Sequence, residues 1–302
     1  MSRTLSTDAC KRLREMNSIP AVPTLLLPAL EFVKQSSEEV DMNRAVQLAS
    51  RDQAVAALCL RMVNSPLFSV GRQITSLREA LVLMGLRRFQ NIVVSICLSK
   101  LLPRDKYIVD PTEFWKHAFA VATLTQKLSQ MVGYGQLDKC YLAGLVHDIG
   151  CLANATCFPK PFRAALEKAT SEAAPLDVSE NAVMSFSHSD SGGYLAEIWQ
   201  FPDEVIDAIR WHHNMHEAAS RESAPLVALV NLADVFCRVR GMGYGYPERL
   251  RVDFTTEPAW RILTERYKSL ADMDLARFTF EVDECVDEIS RLVAMIFPPV
   301  AS

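Results

Sequence analysis

The spacing of apolar residues constrains the fold of this chain more than any other feature of its sequence. Nearly every segment repeats them with the 3.6-residue period of an α-helix, as do Phe114, Val121, Leu124 and Leu128. Runs that alternate β-branched and polar residues around hairpin turns are absent from the sequence. The pattern therefore predicts an all-α protein.

The length and one polar stretch predict two helical lobes. The 302 residues suffice for two domains of about 100–150 residues each. The polar stretch 102–110 separates two long apolar helices, so the lobes are expected at residues 1–105 and 106–302. Helices of the first lobe are predicted at about 24–35, 42–50, 53–63, 76–83 and 86–101.

A helix start signal opens the second lobe. Asp110 can cap the helix, Pro111 suits its first position, and Glu113 completes a capping box. The segment 138–154 is expected to form one continuous, buried helix. Further helices are predicted at about 160–169, 178–184, 189–199, 203–216, 224–240 and 275–297.

Charge and composition argue against several classes of protein. The net charge of −4 is unsuited to a general nucleic-acid binder, which needs a basic surface. A DNA-binding role would depend on Arg87 and Arg88 alone.

Residues 92–102, the most apolar segment, contain Lys100 and fall short of the ~20 residues that cross a bilayer. Residues 1–20 lack the apolar core of a signal peptide, and the eight cysteines include no CxxC pair, so we expect a cytoplasmic protein without membrane association.

Two aspartates lie in segments that are otherwise apolar. His147 and Asp148 are the only strongly polar residues of segment 141–153, and Asp234 shares segment 226–237 with a single other polar residue, Asn231. A buried carboxylate is costly unless it is paired, hydrogen-bonded or bound to a metal. Neither segment offers an evident Lys or Arg partner on its own helix. We therefore expect a cation between helices.

The histidines sharpen this expectation. All six fall within one third of the chain, and five of them recur in helical segments together with the two aspartates. Imidazole and carboxylate groups are common ligands of transition metals. The predicted metal ligands are His117, His147, Asp148, His188, His212, His213 and Asp234.

Each histidine also has a plainer interpretation. His117 could be a hydrogen-bonded core residue, and His188 could simply lie at a capped helix start. One member of the pair His212 and His213 could line the core. His216 is expected at the solvated end of its helix, on the surface.

The order of these residues resembles that of the HD superfamily of metal-dependent phosphohydrolases, and the chain as a whole is most similar to the HDOD family. The resemblance runs from about residue 19 to 240 and depends on segments 50–52, 62–68, 74–88, 114–117 and 142–150. It implies an all-helical, two-lobe protein whose second lobe is an HD-type bundle. It also implies a bacterial signalling or regulatory role and, in many members, a degraded catalytic site. This chain departs from that pattern because it keeps a nearly full ligand set.

Two functions are open. In the favoured one, the metal is structural or sensory and the lobes contact a signalling protein or a small phosphate-containing ligand. In the alternative, a metal-dependent phosphohydrolase, Asp148 is the catalytic residue and bridges two cations about 3.5–4 Å apart. One cation would be held by His117, His147 and Asp234, and the other by His188, His212 and His213.

The ligand types narrow the choice of metal. A mixed imidazole and carboxylate set suits iron, manganese or zinc better than calcium, and we expect one or two ions, with iron or manganese favoured over zinc. Two departures from the active phosphodiesterases of the superfamily argue against hydrolysis of cyclic dinucleotides. Cys151 replaces their Lys and is interpreted as a buried structural thiol, and the Gly-Tyr-Pro sequence at 245–247 follows Asp234 instead of the histidine pair.

Overall fold

The structure is a computed structural model, and its described residues are 5–16, 42–50, 53–64, 72–86, 89, 108–243, 253–271 and several positions between 274 and 291. All regular secondary structure in these ranges is helical, which confirms the all-α class. None of these helices combines the length and the apolar character that crossing a membrane requires.

The described residues include fifteen α-helices and one 3₁₀ turn. In chain order they are α1 (Thr7–Met16), α2 (Met42–Ser50), α3 (Gln53–Val63), α4 (Leu77–Met84), α5 (Pro111–Val132), α6 (Leu137–Val146), α7 (Ile149–Cys157), α8 (Pro159–Glu172), α9 (Leu176–Met184), α10 (His188–Ile198), α11 (Asp203–Trp211), α12 (Met215–Ala218), α13 (Ala224–Val239), a 3₁₀ turn (Phe254–Thr256), α14 (Pro258–Arg266) and α15 (Lys268–Ala271).

The chain folds into two compact units. The larger unit comprises Met1–Ile19 and Leu102–Val293, and the smaller unit comprises Pro20–Leu101 and Ala294–Ser302. The boundary predicted between residues 105 and 106 stays a prediction.

The first helix, for which the sequence analysis made no prediction, belongs to the larger unit. Helix α1 packs against α7 and α10 and buries Ala9 and Leu13. Its Arg14 Nε donates a hydrogen bond to the Tyr194 hydroxyl at 2.7 Å. These contacts join residues that are far apart in sequence. The sequence of the first twenty residues alone therefore could not predict them.

In the smaller unit, α2, α3 and α4 contact one another. The bounds of α2 and α3 are those predicted from the sequence, and α4 is displaced by one residue from its predicted range. Asn64 follows α3, and its side-chain amide makes two hydrogen bonds with the backbone of Ile74. Its Oδ1 accepts from the Ile74 N–H and its Nδ2 donates to the Ile74 carbonyl, each at 2.7 Å. The predicted helix 24–35 and most of 86–101 lie outside the described residues.

In the larger unit, α5 begins where the sequence predicted. The Glu113 N–H donates to Asp110 Oδ1 at 3.4 Å, and Pro111 is the first helical residue. Helix α5 packs against α6 and α13, while α10 packs against α7 and α11. These two groups of helices meet around the predicted metal ligands. The predicted helix 275–297 lies mostly outside the described residues.

Two predicted helices are each broken where the sequence expected continuity. The segment 138–154 ends one helix at Val146 and starts another at Ile149, because the backbone at Asp148 has φ −105° and ψ 18°. The segment 203–216 ends its first helix at Trp211, and Asn214 caps a new short one by accepting from the Glu217 N–H at 3.3 Å. Both breaks occur at the predicted ligands, so those side chains lie at helix ends.

The backbones of α7 and α10 approach each other closely at Gly150, and this contact fixes the position of α7. A Cβ on Gly150 would lie 1.8 Å from the His188 carbonyl oxygen and 2.7 Å from the Gly192 nitrogen. Only a residue without a Cβ allows this contact. Gly150 therefore lets the start of α7, just after Asp148, lie directly against the start of α10.

Replacing Gly150 with Ala tests this contact. We expect the free energy of unfolding to fall by at least about 2 kcal/mol, because the new methyl group meets backbone that cannot move aside. Gly193→Ala is the matched control, since the atoms nearest to its Cβ would belong to the Arg210 side chain, at 2.8 Å, and not to backbone. Urea denaturation of both variants is the measurement, and an equal loss from both would contradict the interpretation.

Candidate metal centre

The structure brings all seven predicted ligands together in the larger unit. His117 and Asp234 project from within α5 and α13, whereas His147, Asp148 and His188 lie at helix ends or breaks. His212 ends α11, and His213 follows it in the turn before α12. All except the half-buried His213 are buried.

The carboxylate of Asp148 lies at the middle of this cluster. Its Oδ1 is 3.2 Å from His188 Nε2 and 3.2 Å from His212 Nε2. Its Oδ2 is 2.9 Å from His147 Nε2 and 3.7 Å from His117 Nε2. Each oxygen therefore faces two imidazole rings.

Backbone carbonyls fix the orientation of three of these rings. In each, the Nδ1 atom faces a carbonyl oxygen, which can only accept, so Nδ1 carries the hydrogen and a neutral ring keeps its lone pair on Nε2. These Nδ1 to oxygen distances are 2.6 Å for His117 to Met242, 2.8 Å for His147 to Gly144, and 2.9 Å for His212 to Ile209. The three Nε2 atoms lie 2.9–3.7 Å from the carboxylate oxygens of Asp148.

The fourth ring is held by a carboxylate instead. His188 Nδ1 lies 2.6 Å from Glu180 Oε2, and the His188 backbone N–H donates to the same oxygen at 2.8 Å. His213 Nε2 lies 3.1 Å from His188 Nε2. A carboxylate behind a ligating imidazole fixes the ring and makes it a stronger donor to a metal.

Sequence reasoning missed Glu180. Its side chain is fully buried, and its Oε1 accepts a hydrogen bond from Asn154 Nδ2 at 2.8 Å. The signal in the sequence is weak because α9 also carries the polar residues Asp177, Ser179 and Asn181. A single Glu does not stand out in such a helix.

Two overlapping groups of potential ligand atoms share Asp148. Within each group the ligand atoms all lie within 4.8 Å of one another. The groups are, first, His117, His147 and Asp148, and second, Asp148, His188, His212 and His213. We call them the three-ligand group and the four-ligand group.

The structure corrects one expectation about Asp234. The sequence seemed to offer no Arg or Lys partner on its own helix, yet Arg238 lies one turn later. Its Nε donates to Asp234 Oδ1 at 3.0 Å, and its terminal nitrogen lies 2.8 Å from Oδ2. Asp234 Oδ1 also lies 3.3 Å from His117 Nε2. Asp234 therefore borders the three-ligand group but is already paired with a guanidinium.

The buried charges strongly perturb one another. Burial works against ionisation of Asp148, but His147 and His188 hold the pKa of its carboxyl well below the usual value. Burial likewise disfavours a charged His117, but contacts with Asp148 and Asp234 raise its pKa to about 9. The pKa of His147 is lowered, mainly by burial. The centre thus combines an ionised carboxylate with rings that differ in their affinity for a proton.

The structure also shows the positions of Cys151 and His216, which the sequence analysis did not count among the metal ligands. Cys151 is buried next to the centre, and burial raises the pKa of its thiol to about 12. It forms a further group of potential ligand atoms with Glu180 and His188. His216 is exposed, as the sequence indicated.

Comparison with known proteins identifies the family. The model of the HDOD domain matches residues 19–215. The chain belongs to the HDOD family. This match extends over both the first predicted lobe and most of the ligand-bearing helices.

Relatives of this HDOD protein include proteins without an assigned role. An uncharacterized protein of Treponema pallidum (strain Nichols) is 26% identical over 224 residues, which are 74% of this chain and 43% of that protein. The chain thus spans less than half the length of this curated relative. A crystal structure of an HDOD domain protein with unknown function from Geobacter sulfurreducens matches with a TM-score of 0.80 and 25% identity, covering 96% of this chain and 98% of that one.

A second solved structure shares the fold at greater distance. It is a protein of Marinobacter aquaeolei VT8, provisionally described as a signal transduction protein. Its TM-score is 0.73 at 21% identity, with 97% of this chain and 62% of that chain covered. At this identity the likeness shows the fold alone.

The buried Glu180 provides a prediction for this HDOD protein. Replacing it with Leu leaves the N–H groups of His188 and Asn154 without their acceptor, which should lower the free energy of unfolding by about 3–5 kcal/mol. Glu172→Leu, on the neighbouring helix, is the control, because that residue is exposed and its ion pair among the described residues is with Lys168. Its loss should cost under about 1 kcal/mol. Urea denaturation with chelator present is the measurement, and equal effects would argue against the assigned role.

Proposed function

We propose that this HDOD protein binds a transition-metal ion at the metal centre and acts as a signalling or regulatory module. The lobes would contact a signalling protein or a small phosphate-containing ligand, and the bound ion would stabilise the state that makes this contact. One observation carries the proposal: four imidazole Nε2 atoms converge on the buried carboxylate of Asp148.

The cluster consists of groups that accept hydrogen bonds or bind cations. Among the described residues, no Lys or Arg forms an ion pair with Asp148, and its near neighbours are the four histidines. The Nε2 atoms of His147 and His212 are buried and make no hydrogen bond within the described part of the chain. Buried polar atoms are normally satisfied. A metal ion would satisfy the carboxylate and the lone pairs at once.

The ligand set bears on the choice of metal. Structural zinc sites are typically built with Cys ligands, whereas both groups at the centre consist of imidazole and carboxylate side chains. Sets of imidazole and carboxylate ligands are typical of non-haem iron, and carboxylates also suit manganese. We therefore propose iron or manganese ahead of zinc.

Burial supports regulation over turnover. The side chains of His117, His147 and His212 are fully buried and that of Asp148 is 5% exposed. His213 is the one predicted ligand that is only half-buried. A substrate phosphate would have to reach the ion past these groups, whereas an ion can stabilise the fold from within.

A metal-dependent phosphohydrolase is the second candidate, and one observation favours it. Asp148 belongs to both ligand groups, so its two oxygens could bridge two ions, as in enzymes whose metals lie about 3.5–4 Å apart. The Gly-Tyr-Pro sequence at 245–247 lies outside the described residues. Cys151 occupies the position where the active phosphodiesterases that the chain resembles carry Lys.

Phosphate-ester assays separate the two candidates. We expect little turnover of cyclic dinucleotides or of a generic phosphodiester when the protein is supplied with Mn²⁺ or Fe²⁺, because the ligands are buried and the Lys is missing. The assay should compare wild type with Asp148→Ala. Metal-dependent cleavage that disappears in this variant would reverse the ranking of the two functions.

Chelation tests the metal proposal directly. A metal present at a thousandfold over its dissociation constant stabilises the folded state by about 4 kcal/mol. We therefore expect a chelator to lower the melting temperature of wild type and to leave Asp148→Ala, which should melt lower throughout, unchanged. Asp203→Ala is the control, because Asp203 is exposed at the start of α11, and it should respond to the chelator as wild type does.

Metal analysis of the protein purified without added metal or chelator completes the test. A buried carboxylate satisfied only by hydrogen bonds would also make Asp148→Ala less stable, because it would leave its partners unsatisfied. It would not make wild type sensitive to the chelator. Metal-free wild type that ignores the chelator and takes up no added ion would contradict the proposed function.

A further inference from the structure

We propose that Arg238 limits this centre to one tightly bound ion, by engaging the carboxylate that would complete a second ion site. This inference depends on the proposed function, since it concerns the stoichiometry of the same metal centre. Arg238 acts through Asp234, whose carboxylate it positions and neutralises.

The two ligand groups are unequal. The four-ligand group contains Asp148 and three histidines, whereas the three-ligand group contains Asp148 and two. A further carboxylate borders the three-ligand group, that of Asp234, whose Oδ1 lies 3.3 Å from His117 Nε2. A second ion would need this carboxylate, because Asp148 would already be shared with the first.

Arg238 contacts both oxygens of that carboxylate. Its Nε donates a hydrogen bond to Oδ1 at 3.0 Å. Its terminal nitrogen lies 2.8 Å from Oδ2, a close charge contact in which Oδ2 accepts no hydrogen bond within the described residues. The side chains of Arg238 and Asp234 are 12% and 2% exposed, so water screens the pair little.

The guanidinium opposes a second ion in two ways. It offsets the negative charge of Asp234, which then attracts a cation weakly. It also places a permanent positive charge beside Asp234, whose Oδ1 lies 3.3 Å from His117 Nε2, and like charges in a poorly screened interior repel strongly.

A plain structural role for Arg238 makes a different prediction. If the residue only satisfied the buried Asp234, its removal would lower stability and leave the number of bound ions unchanged. If it holds Asp234 away from a metal, removal of its charge should add an ion. Gain of a binding site is an effect that loss of structure does not produce.

The experiment is a titration of metal-free protein with Mn²⁺, followed by calorimetry and by electron paramagnetic resonance. Wild type should bind one ion tightly and show the signal of an isolated Mn²⁺. Arg238→Met, which keeps an apolar stem of similar length, should bind a second ion at least about tenfold more tightly than wild type does, with the altered signal of two coupled ions. Arg238→Gln provides a second variant without the charge in case Arg238→Met does not fold.

Two controls separate charge from structure. Arg238→Lys keeps the positive charge and should still bind one ion. The double variant Arg238→Met with Asp234→Asn removes both the guanidinium and the carboxylate, and it should return to one ion.

The outcomes distinguish this inference from the proposed function. Wild type that binds no Mn²⁺, and no Fe²⁺ in a parallel titration, would contradict the proposed function itself. Wild type that binds two ions with similar affinity, or folded Arg238→Met and Arg238→Gln that still bind one, would overturn the role of Arg238 while leaving metal binding intact.

Discussion

A carboxylate side chain that is 5% exposed and has no Lys or Arg partner in the described part of the chain requires compensation from elsewhere. For Asp148 that compensation comes from imidazole rings on four separate helical segments, which face its two oxygens at 2.9–3.7 Å. Because the buried carboxylate of Asp148 needs compensating groups, it brings together helices that are distant in sequence. The close backbone contact of Gly150 with α10 serves the same arrangement, because it brings His188 to Asp148.

The need to surround Asp148 with imidazole rings explains the breaks in the helices. A residue within a continuous helix projects from its side, so two adjacent ligands would point in different directions. Ending α6 at Val146 and starting α7 at Ile149 allows both His147 and Asp148 to face inward. The turn after Trp211 does the same for His212 and His213, and Asn231 Nδ2 holds it by donating to the His212 carbonyl at 2.8 Å. Side chains at helix ends therefore form most of the centre.

A second layer of charge surrounds the ligands. Glu180 lies behind His188, a member of the four-ligand group, whereas Arg238 is paired with Asp234, which borders the three-ligand group. Such outer groups tune both the geometry and the affinity of metal sites. In the proposed centre, they would influence how many ions are held.

The sequence alone determined the all-α class, the family, the bounds of α2 and α3, and the seven residues that meet at the centre. Each of these depends on local information: the apolar period along a helix, or the rarity of a polar residue within an apolar segment. The tertiary structure decided the breaks at Asp148 and His212, the placement of α1 with the larger unit, and the partners of Glu180 and Asp234. Arg238 lies one helical turn from Asp234, so the sequence permits that pair, but only packing shows that both side chains turn to the same buried side. Hydrogen-bond and charge partners are set by which helices pack together, and that depends on contacts across the whole unit, which the local spacing of residues does not encode.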